Sequence, residues 1–430
     1  MLLKNVTVVC LHPAAVTRAD IRIEGDAIAA MGRALRPGPR ESVEDFGGRV
    51  LLPGQVCAHT HAYSALSRGM PGPRVAPRSF PDMLRKIWWT LDETLDDEAI
   101  HYSALVAALD AVRCGTTTLV DHHASPNSII GSLDIIRGAF SAVGLRGVLC
   151  YEVTDRGGAA RRNAGLAEND RFLSATRNDP MVRGLVGAHA SFTLSDRTLA
   201  AIGELAQFHG TGLHIHVAEA REDVDLTVQR HGRGIIERLD RYRLLNESSL
   251  LAHAVHLTPL QLERVADAGA WIAHNPRSNM NNGVGRAAVE RFGPQAALGT
   301  DGWPADMFEE TRFAHFGLRE RVGPDAADAA LRLQDGSRRL ATSLFGTPIG
   351  PIEPGAAADL MVCDYPAPTP LDASTAGSHV LAGLHAGHVR HVMIAGRWVV
   401  RDGAVTTVDA REVYRRAAKA ASRLWARMRG

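Results

Sequence analysis

The chain has 430 residues, enough for one large domain and a smaller companion. Hydrophobic residues make up 45% and charged residues 22%, the balance of an ordinary globular protein, and a net charge of +1 gives no concentrated basic surface for nucleic acid. Five scattered cysteines (Cys10, Cys57, Cys114, Cys150, Cys363) include no Cys-X-X-Cys pair and read as reduced thiols rather than a disulfide framework.

In chain order, LLKNVTVVCL and DIRIEGDAIAAMG are rich in strand-forming residues, with turns at Gly25-Asp26 and Pro37–Pro39. The stretch MLLKNVTVVCLHP lacks a charged leader, and no apolar run is long enough to cross a bilayer, so a cytoplasmic protein without membrane contact is expected. From 56 to 349 the chain alternates apolar runs with longer amphipathic stretches such as DDEAIHYSALVAALDAVRCG. The runs are QVCAH, TTTLVDHH, RGVLCYE, RGLVGAH, GLHIHVAE, SLLAHAVH, AWIAHN and AALGTDG, and eight strand–helix units predict a (β/α)8 TIM barrel of the α/β class. GAAADLMVCDY and HVRHVMIAGRWVVRDGAVT then repeat the texture of the beginning. Neither end has residues enough for its own core, so residues 1–55 and 350–405 are expected to build one small β-sandwich domain from both chain ends. Residues 406–430 predict a docked helix.

The informative feature is where each apolar run stops. All but one carry a His or Asp at or just past the carboxyl end, the face on which barrel enzymes build their sites; the third run ends instead in Tyr151-Glu152. His59 and His61 are two apart, so on a strand both rings share a face, as a metal site needs. HIHVAE places His216 at a strand end and Glu219 on the following loop, a carboxylate free to move protons beside a ligand. His214 shares that face but lies deeper, where a hydrogen-bonded core histidine is the reading. His253 ends the sixth run and Asp301 the eighth, the latter a helix cap or a fourth ligand.

This set, His59-Thr60-His61, His216 with Glu219, His253 and Asp301, resembles the amidohydrolase superfamily, in its cytosine/guanine deaminase and triazine hydrolase branch. LSRG, DHHASP, GAHASFT, GLHIHVAE, HNPRSNMNN, ALGTDG and DMFEE are similar to the SsnA-type aminohydrolases, over essentially the whole chain. The resemblance implies one divalent metal ion, zinc first and iron second, held by His59, His61, His216 and Asp301. It implies Glu219 as proton shuttle, His253 orienting water or polarising the attacked carbon, Asp301 accepting the water's proton, and His189 lining the pocket near the substrate ring. Dimers are common among such relatives, so a homo-oligomer is expected. The bridging lysine of binuclear relatives has no counterpart: the lysines are Lys4, Lys86 and Lys419, and the fourth run ends in His189.

For substrate contact, Asn275, Arg277, Ser278 and Asn279 offer donors, Trp88 and Trp89 a stacking surface, and Met307 and Phe308 a cover. Arg68 meets substrate or anchors its loop, and one of Asp121, His122 and His123 supports the ligands. Thr60 stands where some SsnA-type relatives have Asn. Tyr63-Ser64 stands where guanine deaminases carry Gln, which counts against guanine as substrate. The expected activity is metal-dependent hydrolytic deamination of a small aminated heterocycle, purine- or pterin-like first, with water as co-substrate. The alternatives are a cyclic amidase, a hydrolytic dehalogenase at the same metal, or a non-catalytic metal-binding homologue. An iron-dependent oxygenase fits less well, because three histidines and an additional acid exceed its two-histidine, one-carboxylate triad.

Overall fold

The computed structural model describes residues 1–429. Its first strands are β1 (Leu2–Leu11), β2 (Ala14–Glu24), β3 (Ala27–Gly32), β4 (Val43–Asp45) and β5 (Val50–Pro53). The central strands follow as β6 (Gln55–Thr60), β7 (Thr116–His123), β8 (Arg146–Tyr151), β9 (Val182–Gly184), β10 (Val186–Ala190), β11 (Leu213–Val217), β12 (Leu250–His253), β13 (Trp271–His274) and β14 (Ala296–Leu298). The last are β15 (Leu360–Cys363), β16 (Val389–Ile394), β17 (Arg397–Arg401) and β18 (Ala404–Val405).

The central strands form two parallel sheets, β6-β7-β8-β9 and β10-β11-β12-β13-β14. β9 and β10 are halves of one run separated by Leu185. Parallel bridges Val153–Ala188 and Thr60–Asp301 join the two sheets at both seams, which gives a TIM-barrel-like ring. These strands are buried along nearly their whole length, which is why they read as apolar runs rather than alternating ones. The helices between them carry ordinary start and stop signals: Asp96 caps Asp97–Arg113, and Ser195 caps Asp196–His209, which ends at Gly210 with φ +63°.

Both chain ends enter one nine-stranded sheet, in the order β18-β17-β16-β15-β5-β1-β2-β3 with β4 on β1. β5 is the join: it pairs parallel with β1 and antiparallel with β15. One hydrophobic cluster mixes Leu3, Val8, Ile21 and Ile28 with Leu360, Val362 and Met393, so each end supplies apolar surface the other lacks. Arg146 on β8 ties this sheet to the central ring, with Nε 3.0 Å and Nη2 3.2 Å from the Asp359 carboxylate. The helix Ala410–Arg427 packs on Asp97–Arg113, burying Ala417, Ala420 and Leu424, and Trp425 donates its indole N–H to the Leu66 carbonyl at 2.9 Å. Among the described residues no helix is long and apolar enough to cross a membrane.

Candidate metal centre and active site

Ligand-bearing side chains collect at the carboxyl ends of β6, β11 and β14. One ligand atom from each of His59, His61, His216 and Asp301 lies within 4.8 Å of every other. The Asp301 carboxylate is 3.0 Å from His61 Nε2 and 3.6 Å from His59 Nε2, and His61 Nε2 is 3.1 Å from His216 Nε2. Close approach of β14 to β6 depends on Gly299, where a Cβ would sit 2.8 Å from the His59 nitrogen. Asp301 and His253 adopt left-handed backbone, φ +54° and +77°, a cost borne at the strand ends where these side chains turn inward.

Each ligand ring is held through its other nitrogen. His61 Nδ1 donates to the His122 carbonyl at 2.6 Å, and His216 Nδ1 donates to the His189 carbonyl at 2.8 Å. His59 Nδ1 lies 2.9 Å from His214 Nε2, whose Nδ1 in turn lies 3.6 Å from Cys150 Sγ. Three Nε2 lone pairs and a carboxylate therefore point at one place, and His59 Nε2 is buried without a hydrogen-bond partner. Lone pairs brought together this way repel unless a cation or proton sits among them. The donor set suits a divalent ion of the zinc type, and the supporting contacts are those that orient metal-binding imidazoles.

Electrostatics separate the rings. Burial holds His59 down to about 4, as a neutral ligand requires. Burial also opposes charge on His61, but the Asp301 carboxylate and the His122 carbonyl outweigh it and raise this ring to about 9. Burial works against the Asp301 anion, yet His59 and His61 keep its carboxyl well below the usual range.

Glu219 lies beside this centre, its Oε2 3.7 Å from His253 Nε2 and its Oε1 accepting from Asn282 Nδ2 at 3.2 Å. Burial raises its carboxyl above the ordinary glutamate value, against the pull of His253. His253 Nδ1 donates to Asn279 Oδ1 at 2.8 Å, which leaves Nε2 facing Glu219. Asp223 accepts from the Ala218 N–H at 2.6 Å and so braces the loop that carries Glu219.

A cavity of about 500 Å³ opens over these groups, walled by His61, His189, His216, Glu219 and Asp301 and by the aromatic residues Trp88, Trp89, Phe192 and Trp303. Several expected substrate contacts sit elsewhere. Met307 is fully buried in the hydrophobic core behind the cavity. Asn279 is spent on His253, and Asn275, fully buried, donates to the Ala273 carbonyl at 3.3 Å, so both stand behind the cavity wall. Arg277 and Ser278 do line the cavity, but the Arg277 guanidinium is taken up by Glu309, Glu310 and the Pro304 carbonyl, and the Ser278 hydroxyl donates to Asp301. Arg68 is engaged by Asp110 at 2.7 Å. Of the residues ending β7, Asp121 accepts from the Ala62 N–H at 2.6 Å, His122 supports His61 through its carbonyl, and His123 lies 2.9 Å from the Ser125 hydroxyl.

Sequence reasoning passed over Glu152, Asp92 and Arg156. Glu152 sat at a strand end in plain view but broke the His/Asp pattern. Asp92 and Arg156 carry no local signal, since one lies in the helix Trp89–Thr94 and the other beyond β8.

Residues 50–399 match the amidohydrolase family. The chain belongs to that family. Relatives include a 5′-deoxyadenosine deaminase of Methanopyrus kandleri, 30% identical over 386 residues that cover 87% of this chain and 86% of the relative. A 5-methylthioadenosine/S-adenosylhomocysteine deaminase of Thermococcus sibiricus is 30% identical over 93% of this chain and 94% of its own length. An adenosine deaminase of Xanthomonas campestris with bound zinc shares the fold at a TM-score of 0.85 and 24% identity, covering 98% of both chains. The zinc complex of the atrazine chlorohydrolase TrzN from Arthrobacter aurescens has the same fold, with a TM-score of 0.82 and 19% identity over 98% of this chain and 99% of that one. As an amidohydrolase the protein is metal-dependent, and its His/Asp cluster offers a ligand set for an ion.

Proposed function

We propose that this amidohydrolase hydrolytically deaminates an amino-substituted heterocycle of the purine type, with an adenosine-like nucleoside the leading substrate class. The observation that carries this is the position of Glu219: a buried carboxylate, outside the His59, His61, His216 and Asp301 set, beside His253 at the floor of a cavity with aromatic walls. The relatives named as deaminases of adenosine-type compounds supply the substrate class.

In this reading His59, His61, His216 and Asp301 hold one divalent ion, zinc before iron, because imidazole nitrogens with a single carboxylate are borderline donors. Such an ion, when bound, acidifies water so that hydroxide is available near neutral pH. Asp301 takes the water's proton, and Ser278 steadies its other oxygen. Glu219, its carboxyl raised by burial, donates to the ring nitrogen next to the attacked carbon, and the proton that Asp301 took from water passes to the departing amine. His253, fixed by Asn279, orients the attacking oxygen. His189 and the tryptophans Trp88 and Trp89 hold the planar ring. Residues 1–55 and 350–405 act as one sandwich-type support domain. A cytoplasmic location is supported by five free thiols, and a homodimer by family likeness alone.

The test is product analysis of metal-loaded protein in isotopically labelled water. Ammonia release with the label in a new ring carbonyl is expected, without oxygen uptake. Ring opening without ammonia would assign the cyclic-amidase chemistry instead, and loss of halide from a halogenated ring would assign the dehalogenase.

A further inference from the structure

The cavity has a second polar wall that the proposed deamination leaves unused. Asp92, in the helix Trp89–Thr94, and Glu152, just past β8, are both buried and both line the cavity. Arg156 ties them together: its Nη2 is 2.6 Å from Glu152 Oε1 and 3.8 Å from Asp92 Oδ2, and its guanidinium lies 4.5 Å from the centre of the Trp89 ring. Two carboxylates share one arginine, and the Tyr63 hydroxyl on the same cavity wall also faces Asp92. Asp92 Oδ1 is buried with no hydrogen-bond partner, as are the indole N–H of Trp89 on the same helix and His122 Nδ1, 3.5 Å from Glu152 Oε2.

A buried carboxylate oxygen without a donor is costly, and a site that keeps one is poised for a ligand that supplies the donor. Burial pushes the Asp92 carboxyl up to about 8 against the pull of Arg156 and the Tyr63 hydroxyl, and a further N–H or O–H donor from a ligand would favour its ionised form. This wall adjoins the metal centre: ligand atoms of His122, Glu152 and His216 lie within 4.8 Å of one another. It does not serve a second cation, because the one free nitrogen of His216 is already turned toward His61 and Asp301.

We propose that Asp92 and Glu152, braced by Arg156, form a subsite that reads hydrogen-bond donors on the substrate. The substrate presents a pair of N–H or O–H groups to this wall while its amino-bearing carbon meets the metal centre. The donors come from the ring edge or from an attached sugar.

This inference rests on the deaminase reading, and measuring binding separates the two. Metal-loaded Glu219→Gln protein is titrated with adenosine, 2′,3′-dideoxyadenosine, adenine and 2,6-diaminopurine, alone and combined with Asp92→Asn or Glu152→Gln. Tighter binding by about tenfold or more is expected for adenosine over its dideoxy counterpart if hydroxyls are read, or for diaminopurine over adenine if ring N–H groups are read. Either preference should shrink to about twofold in both wall variants, with metal content and melting temperature retained. If Asp92→Asn does not fold, Glu152→Gln decides. No preference in the parent protein, no binding of any of the four compounds, or a preference that survives substitution overturns the subsite. Intact preferences in a wild-type enzyme that deaminates nothing would overturn the deaminase reading and leave the subsite standing.

Discussion

His61 and His216 face each other through Nε2 atoms 3.1 Å apart, while each Nδ1 is committed to a backbone carbonyl. Two neutral rings held like this oppose lone pairs, so without a metal the pair keeps a proton, and His61, raised to about 9 beside Asp301, is where it resides. A cation must displace that proton. Below about pH 9 metal affinity should therefore rise with pH, by about tenfold per unit between about pH 6 and 8. Competition with a chelator at several pH values measures this, and a flat profile would show that the empty site holds His61 neutral.

His214 shares no atom with the proposed ion, yet it holds His59 Nδ1 at 2.9 Å. His214→Ala should weaken metal binding by about 10- to 100-fold while leaving the fold intact. His214→Gln, which keeps an acceptor near His59, should recover part of the loss. Equal affinity in all three proteins would mean that His59 needs no such brace.

Glu219→Gln keeps the shape and the Asn282 contact but cannot transfer a proton. Turnover should fall by about 10²- to 10⁴-fold with metal content unchanged. His253→Ala should likewise lower turnover more than metal retention. Metal loss in step with activity would move either residue into the ligand set.

The Arg146–Asp359 pair is buried on both sides, and Asp359 also accepts the Ala395 N–H at 2.8 Å. Arg146→Ala strands this carboxylate and should destabilise the protein by about 3–5 kcal/mol, read from the denaturant midpoint. The double substitution Arg146→Met with Asp359→Asn should cost less than Arg146→Ala, since no unpaired charge remains. The opposite order would remove the pair as the joint between central ring and end sheet.

Deleting residues 1–50 takes away β1 to β4 and Val50 of β5, and strips Leu3, Val8, Ile21 and Ile28 from their cluster with Leu360 and Val362. Lower melting temperature or aggregation is expected although every proposed ligand remains. A soluble truncation with unchanged melting would show that the carboxyl-terminal strands stand alone.

The ligand positions were legible in the sequence because they obey local rules. A strand repeats its side-chain direction every two residues, so His59 and His61 announce a shared face, and apolar runs that stop at His or Asp announce a common rim. What local rules do not carry is partnership and competition. His214 and His216 lie on the same face of β11, and position along the strand already sets His214 deeper, but only the packing of β6 shows that the group it holds is His59 Nδ1. Arg277 reads as a free donor until Glu309 and Glu310, brought in by the helix Met307–Val322, consume it. Asp92 and Arg156, 64 positions apart, meet on one wall only because the chain segment after β6 folds back over the ends of the strands. Residue type and periodicity are properties of the chain, but whether a buried polar atom is satisfied depends on every element packed around it, and that is decided only in the folded molecule.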